Sequence, residues 1–198
     1  MYKIIDEKTT YIDESVVIGD GCTIYPNTTI LGNTRIGENT VIYPSSFIKD
    51  SVIGDNNTIY TSYVLDSELG NNNVVGPYAH IRPGNKIKDN NKIGSFVEIK
   101  NSELNGNVKI PHLSYVGDTT IENRVNIGAG VKVANYDGKN KFKTYIEEGS
   151  FIGCNSVLVA PVTLHKNSFV AAGSVITKDV PENSLAIARE RQINKERN

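Results

Sequence analysis

Isoleucine recurs at every sixth position near the start of the chain. Seven residues share this interval: Ile12, Ile18, Ile24, Ile30, Ile36, Ile42 and Ile48. An α-helix would spread them over several faces, because six residues turn it by roughly 600°. A single strand holding all of them on one side would run on the order of 120 Å. The period therefore predicts a β-solenoid, in which the chain bends every six residues and points each isoleucine inward from one flat side of a three-sided coil.

The same interval continues through most of the chain with other aliphatic residues. We place further inward positions at Ile53, Ile59, Val64, Leu69, Val75, Ile81, Ile87, Ile93, Ile99, Leu104, Ile110, Val116, Ile121, Ile127, Val133, Ile146, Ile152, Leu158, Leu164, Val170 and Ile176. Two residues before most of them stands a small side chain, and glycine follows many of them. Small residues fit the narrow corners of a prism, and glycine permits a tight bend.

This pattern predicts an all-β protein with one domain at residues 1–183. The interval breaks after Val133, so we expect residues 134–145 to form an inserted loop that protrudes from the coil. Residues 184–198 leave the repeat and are net basic, so we expect a short C-terminal arm that is either a solvated tail or a segment that caps the coil or reaches a partner. A loop on a rigid scaffold is a frequent place for chemistry.

Composition narrows the class of partners. The 21 basic and 22 acidic residues nearly cancel, which argues against a nucleic-acid or anionic-membrane surface. No apolar run is long enough to span a membrane, and a polar segment follows Met1 where a signal peptide would be apolar. Cys22 and Cys154 stand far apart and do not suggest a disulfide framework. We therefore expect a cytoplasmic protein.

Counting along the coil predicts which side chains stack. Residues one turn apart lie about 4.8 Å apart, as neighbouring strands do. Arg82 and Lys100 each follow an inward position and are one 18-residue turn apart, so we expect them to stack. Two cations about 5 Å apart repel by roughly 1–3 kcal/mol. The pair is therefore either two solvated side chains that splay apart or a site for a dianion such as a phosphate monoester.

The same counting brings other polar residues toward this pair. One column is predicted to contain His80, Glu98 and Tyr115. His112 lies one turn from Ala129, and the inserted loop leaves the side that carries the column and includes Lys141. We therefore predict that the cations, His112 and the loop converge on one region.

The histidines do not predict a metal site. His80, His112 and His165 occupy different phases of the repeat, so they form no stacked ladder within one chain. Converging ligands are what a zinc site needs. We expect no metal.

A series of motifs in order resembles a known enzyme family. They are Gly76-Pro77-Tyr78, Arg82-Pro83-Gly84, Phe96-Val97-Glu98-Ile99-Lys100, His112-Leu113-Ser114-Tyr115-Val116-Gly117-Asp118, Asn126-Ile127-Gly128-Ala129-Gly130, Asn135-Tyr136-Asp137-Gly138 and Asn140-Lys141-Phe142-Lys143-Thr144. Together they resemble the C-terminal half of bacterial bifunctional N-acetylglucosamine-1-phosphate uridyltransferase/glucosamine-1-phosphate N-acetyltransferase, over essentially the whole chain. The repeat itself resembles the hexapeptide-repeat left-handed β-helix, and the left hand comes from this resemblance alone.

The resemblance implies a fold, an activity and an assembly. The activity would be transfer of the acetyl group of acetyl-CoA to the 2-amino group of glucosamine 1-phosphate, in the synthesis of UDP-N-acetylglucosamine. The assembly would be a homotrimer with clefts between neighbouring chains. The family carries an N-terminal nucleotidyltransferase domain with a glycine-rich phosphate loop that has no counterpart in this sequence. Uridyl transfer and its metal requirement are therefore not expected.

The resemblance also assigns roles by matching motif. The sugar phosphate would be held by Arg82, Lys100, Tyr115, Asn126 and Lys141. His112 would be the general base, oriented by Glu98, because the attacking amine must lose a proton and an unperturbed histidine titrates near neutral pH. The acetyl group and the developing oxyanion would meet Asn135 and the backbone N–H of Tyr136. Acetyl-CoA would be bound by Ala129, Asn135, Tyr136, Cys154, Ala172 and Arg189.

Spacing adds one feature to this assignment. His112, Ala129, Cys154 and Ala172 share one phase of the repeat, so they would stack over roughly 14 Å and could hold an extended thiol arm. Small residues are also what tight corners require, so packing alone remains an alternative explanation.

Two other functions stay open. One is a hexapeptide acetyltransferase for a different amino sugar, and the other is a non-catalytic trimeric scaffold. The Arg82–Lys100 pair favours an acceptor with a phosphate. A scaffold would give His112, Asn135 and Lys141 no purpose.

Overall fold

The computed structural model describes residues 1–196, which contain thirty short strands and no helix. The first ten strands are β1 Lys3–Ile4, β2 Tyr11–Ile12, β3 Val17–Ile18, β4 Thr23–Ile24, β5 Thr29–Leu31, β6 Arg35–Ile36, β7 Val41–Ile42, β8 Phe47–Lys49, β9 Val52–Ile53 and β10 Thr58–Ile59. The next ten are β11 Tyr63–Leu65, β12 Ser67–Leu69, β13 Val74–Val75, β14 His80–Ile81, β15 Asn85–Ile87, β16 Lys92–Ser95, β17 Glu98–Lys100, β18 Glu103–Leu104, β19 Lys109–His112 and β20 Tyr115–Gly117. The last ten are β21 Thr119–Ile121, β22 Asn126–Ile127, β23 Lys132–Ala134, β24 Thr144–Ile146, β25 Phe151–Ile152, β26 Val157–Val159, β27 Val162–Leu164, β28 Phe169–Val170, β29 Val175–Ile176 and β30 Leu185–Ala186.

From β1 to β26 each strand pairs in parallel with the third strand after it, which winds the chain into a three-sided prism. Sheet A starts at β1 and has 11 strands, sheet B starts at β2 and has 10, and sheet C starts at β3 and has 9. Ile12 pairs with Ile30, an 18-residue turn, and Ile42 pairs with Ile59, a 17-residue turn. Ile48 pairs with Val64, a 16-residue turn that the sequence did not predict, because two five-residue steps fall within it.

The predicted inward residues form the core. From Ile24 to Ile176 every one is at most 4% exposed. Ile12 and Ile18 are only half-buried, since they lie in the first complete turn at the end of the prism. The small residues predicted for the corners are buried as well, from Cys22 to Ser174.

Asparagine also fills corners, which the sequence pattern did not indicate. Asn57, Asn73 and Asn91 are buried, and each of the last two donates its backbone N–H to the side-chain oxygen of the one before it, at 2.8 Å. The amide side chain thus supplies an acceptor to the next coil, which a hydrophobic corner residue could not do.

Two boundaries differ from the prediction. Ala134 and Tyr145 belong to β23 and β24, so the inserted loop is residues 135–143. The coil also passes the predicted boundary at Ser184, because β30 pairs with β28 and the Val175 N–H donates to the Ala188 carbonyl at 3.0 Å. The coil therefore extends at least to Ala188, and residues 197 and 198 of the predicted arm lie outside the described residues. Residues 1–196 include no helix that is both long and apolar enough to cross a membrane.

Candidate functional site

Arg82 and Lys100 lie on neighbouring coils at the corner between sheets B and C, which we call the B/C corner. Register pairs Ile81 with Ile99, so the residues that follow them stack as the sequence predicted. The Arg82 guanidinium does not stay unpaired: its Nη1 donates to Glu98 Oε1 at 2.8 Å. Glu98 was expected to orient His112, yet its carboxylate is occupied by this partly exposed ion pair.

Lys141 extends the cationic group at this corner. Contact with its ammonium is the largest cause that lowers the pKa of Lys100 below the ordinary lysine value, and Arg82 adds to the effect. The Asp118 carboxylate opposes it. The loop therefore delivers a third cation to the pair that register had already stacked.

Tyr115 and Asn135 complete the corner. Glu98 pairs in register with Tyr115, which lies on the next coil of sheet B. A Cβ added to Gly117 would come within 2.5 Å of Tyr115 Oη and 2.8 Å of Asn135 Nδ2, so both groups pack over this glycine. Asn135 is 6% exposed, and its Nδ2 donates to Asp118 Oδ2.

The loop is a small hairpin held by its own turn. Tyr136 bridges Lys141, and the Phe142 N–H donates to the Asn135 carbonyl at 2.9 Å. Asp137 Oδ1 accepts the backbone N–H groups of Asn140 and of the residue before it, which lowers the pKa of the Asp137 carboxyl. Within residues 1–196 the backbone N–H of Tyr136 donates to no acceptor, so it remains available to a ligand.

A second group of predicted residues lies at the corner between sheets A and B, which we call the A/B corner. It is a column of His112, Ala129, Cys154 and Ala172. The carbonyl oxygens of the first three each accept a backbone N–H from the next coil at 2.8–3.1 Å, which confirms the predicted stacking. Ala129 is half-buried and the other three are exposed. Arg189 lies at the far end, with its Cδ 3.9 Å from the Cβ position of Gly173.

One chain does not bring the two groups together. His112 ends β19 at the A/B corner, and β20 crosses sheet B to Gly117 at the B/C corner. That separation of five residues spans up to about 16 Å. We predicted that His112 and the cations converge on one region. Within one chain they instead lie at opposite edges of sheet B. Asn126 lies farther away, half-buried on sheet A between Lys109 and Phe151.

Asp118 has no assigned role in the sequence prediction, although it belongs to one of the quoted motifs. It is 8% exposed and accepts side-chain hydrogen bonds from Asn101 and Asn135. The 17-residue spacing of these three residues was the available signal, because it places them on successive coils.

The histidines remain apart. The His80 ring packs edge-on against Tyr63 at 5.9 Å, and His165 Nδ1 lies 3.0 Å from Glu147 Oε1. No group of three or more His, Cys, Asp or Glu side chains in the described part of the chain could hold a metal ion.

Comparison with protein families agrees with the coil. The family described as bacterial transferase hexapeptide (six repeats) matches residues 15–50, 66–101 and 143–178, more than half of the chain. The chain belongs to this hexapeptide transferase family. Its fold is accordingly a left-handed parallel β-helix, as the resemblance implied.

Two relatives match nearly the whole chain. It is 55% identical over 193 residues to the bifunctional protein GlmU of Geobacillus sp. (strain WCH70), covering 98% of this chain and 42% of that protein. It is 52% identical to the bifunctional protein GlmU of Carboxydothermus hydrogenoformans, covering 98% of this chain and 43% of that one. The chain therefore spans less than half the length of these relatives.

A solved structure shows the same fold. The UDP-N-acetylglucosamine acyltransferase of Francisella novicida superimposes with a TM-score of 0.60 at 23% identity, covering 95% of this chain and 67% of that chain. At this identity the likeness concerns the fold alone.

Proposed function

We propose that the chain is an N-acetyltransferase that moves the acetyl group of acetyl-CoA to the 2-amino group of glucosamine 1-phosphate. The observation that carries the proposal is the B/C corner, where Arg82, Lys100 and Lys141 converge beside Tyr115 and Asn135. The relatives named bifunctional protein GlmU, aligned over 98% of this chain, support the same activity.

The cations fit a phosphate monoester. Lys141 and Arg82 both disfavour the charged form of Lys100, so the corner holds positive charge that its own carboxylates do not fully compensate. A dianion would relieve this repulsion, and Arg82 offers a planar donor suited to phosphate oxygens. An amino sugar without the phosphate would leave the repulsion in place.

The reaction needs a base and an oxyanion donor. His112 is exposed and makes no side-chain hydrogen bond in residues 1–196, so its ring is free to take a proton from the attacking amine. The unpaired Tyr136 N–H would meet the tetrahedral oxyanion, an interaction worth about 3–4 kcal/mol in other acyl-transfer enzymes. Direct attack on the thioester requires no covalent acyl-enzyme.

The A/B column suits acetyl-CoA, the proposed cosubstrate. Its three small residues add little side-chain bulk to the coils after His112, two of them are exposed, and Arg189 at the far end would bind the coenzyme phosphates. The thioester would then reach His112 with the thiol arm spread over roughly 14 Å.

The separation of the two groups supports a homotrimer. A threefold ring of parallel prisms would set the A/B corner of one chain beside the B/C corner of the next, and such heterologous contacts close into a ring. Each site would then take His112 from one chain and the cations from its neighbour, in a cytoplasmic enzyme that needs neither nucleic acid nor membrane.

Two alternatives predict different behaviour. A transferase for another amino sugar would not need the stacked cations, and a scaffold would need neither an unpaired Tyr136 N–H nor an exposed His112 without a side-chain hydrogen bond. An acetyl-CoA consumption assay over amino sugars with and without a 1-phosphate separates all three. We expect turnover of glucosamine 1-phosphate, a much higher KM for glucosamine, and loss of kcat in His112→Ala. Equal turnover of glucosamine 1-phosphate and glucosamine would contradict the phosphate site, and no turnover of any sugar would favour the scaffold.

A further inference from the structure

Asp118 connects three parts of the B/C corner. Its carboxylate accepts hydrogen bonds from Asn135 Nδ2, at the start of the loop, and from Asn101 Nδ2. Its backbone carbonyl accepts the Thr144 N–H at 3.2 Å, at the end of the loop, and its N–H donates to the Lys100 carbonyl at 3.1 Å. One nearly buried residue thus ties both ends of the loop to the coil that carries a cation.

The contact fixes which end of the Asn135 amide is free. Its nitrogen is committed to Asp118, and its Oδ1 accepts no hydrogen bond in residues 1–196. In that part of the chain the only fully buried side-chain atoms without a partner are Asn73 Nδ2 and Thr144 Oγ1. Asn135 Oδ1 therefore reaches the surface and presents an acceptor there.

An acceptor and a donor would act oppositely on an amine. An oxygen accepts one N–H of the amine and leaves the nitrogen lone pair free to attack the thioester. An amide N–H in the same place would bond to that lone pair and oppose the attack. The carboxylate of Asp118 cannot donate when ionised, so it enforces the productive orientation of Asn135.

We propose that Asp118 is a positioning residue for acetyl transfer, holding Asn135 with its oxygen toward the acceptor amine and the loop with the Tyr136 N–H toward the thioester. This inference rests on the function proposed above. Asp118 touches neither substrate and acts through Asn135 and the two loop ends.

The chain offers a matched pair of variants. Asp118 and Asn101 both have left-handed backbones, with φ of 50° and 47°. Glycine adopts this conformation without strain, so Asp118→Gly and Asn101→Gly each remove one side chain at equal backbone cost. Asn101→Gly leaves the bond between Asp118 and Asn135 intact, whereas Asp118→Gly removes it.

Steady-state kinetics of the whole chain test the role. We expect Asp118→Gly to lower kcat by up to about 100-fold, because misplacement of a reacting group by 1 Å can cost that much. Its KM for acetyl-CoA should stay within about twofold of wild type, and Asn101→Gly should keep kcat within about threefold. Asp118→Asn should fall between them, because Asn101 can turn its own amide and leave one acceptor for Asn135.

A second measurement does not depend on activity. In NMR spectra of the side-chain amides, the Asn135 Nδ2 protons should exchange slowly in wild type and in Asn101→Gly, and quickly in Asp118→Gly. Equal kcat in the two glycine variants, or protected Asn135 protons in Asp118→Gly, would overturn the inference. If Asp118→Gly fails to fold, the same two readouts on Asp118→Asn decide. An inactive wild type with the predicted amide pattern would instead reject the proposed function and keep the structural part of the inference.

Discussion

Gly117→Ala should separate activity from stability. The added Cβ would lie 2.5 Å from Tyr115 Oη and 2.8 Å from Asn135 Nδ2, whereas ordinary contacts begin near 3.4 Å. The backbone of Gly117 is not left-handed, so the substitution acts by crowding alone. The tyrosine hydroxyl must therefore move by roughly 1 Å, a displacement that can cost about 100-fold in rate.

The stability cost should be small, because the groups that must move are the ends of side chains. Overpacking costs about 1–3 kcal/mol, and partial exposure of Tyr115 favours the lower limit. A loss of about 1 kcal/mol lowers Tm by roughly 2–4 °C in a chain of this size. Thermal melting and kinetics with glucosamine 1-phosphate would be measured on the same preparation.

Gly37→Ala is the matched control. Its Cβ would meet the backbone carbon of Gly54 at 2.6 Å, and backbone cannot turn aside. This glycine lies on an early coil, far from both corners, so we expect a larger fall in Tm with kcat per folded chain unchanged. The reasoning is refuted if Gly117→Ala keeps wild-type kinetics, or if its loss of activity simply follows its loss of stability.

Three further predictions concern charge, the coenzyme column and assembly. Because Lys141 and Arg82 lower the pKa of Lys100, the repulsion among these three cations is fully present below that pKa and is relieved as pH rises through it. Inorganic phosphate should therefore raise Tm at neutral pH, and Lys141→Ala should lose most of this increase in Tm. A maleimide should modify the exposed Cys154 more slowly with acetyl-CoA bound, and Ala172→Leu should raise KM for acetyl-CoA far more than for the sugar. If acetyl-CoA does not change the rate of labelling, the column at the A/B corner has a packing role only. His112→Ala and Lys100→Ala chains, each inactive, should regain about a quarter of wild-type activity when refolded together at equal amounts, because random assembly gives that share of intact shared sites; no recovery would place both groups in one chain.

The coil could be predicted because its rules are local. Ile24 and Ile176 are buried at opposite ends of the prism for the same reason, a fixed interval between inward residues. Counting turns also placed Arg82 over Lys100, since stacking depends on register and on nothing farther away. The buried asparagines were not predicted because the sequence pattern classes amide side chains as polar and therefore as exposed. Asn73 is nevertheless hydrogen-bonded to the corner asparagines of the coils before and after it.

The candidate site was only partly predictable, because side-chain pairing and corner geometry are not local. The resemblance assigned Glu98 to orient His112, whereas in the structure its carboxylate accepts a hydrogen bond from the Arg82 guanidinium. Register gave the column of each residue but not the width of sheet B that separates His112 from the cations. The loop hairpin depends on Asp137, whose side chain accepts a backbone N–H from Asn140. This role was not predicted, because it depends on how the loop folds back on itself.

The B/C corner and the A/B corner require different residues, and a solenoid can supply each set independently. Contacts are made mainly between neighbouring coils. The B/C corner can therefore contain cations and a loop while the A/B corner contains small residues. A phosphate site at the B/C corner would then exist in each chain, whereas acetyl transfer would need two chains side by side. Dilution should therefore abolish turnover before it abolishes stabilisation by phosphate. Light scattering, turnover and phosphate-dependent Tm measured over one dilution series would show this order, and loss of both together would contradict a site divided between corners.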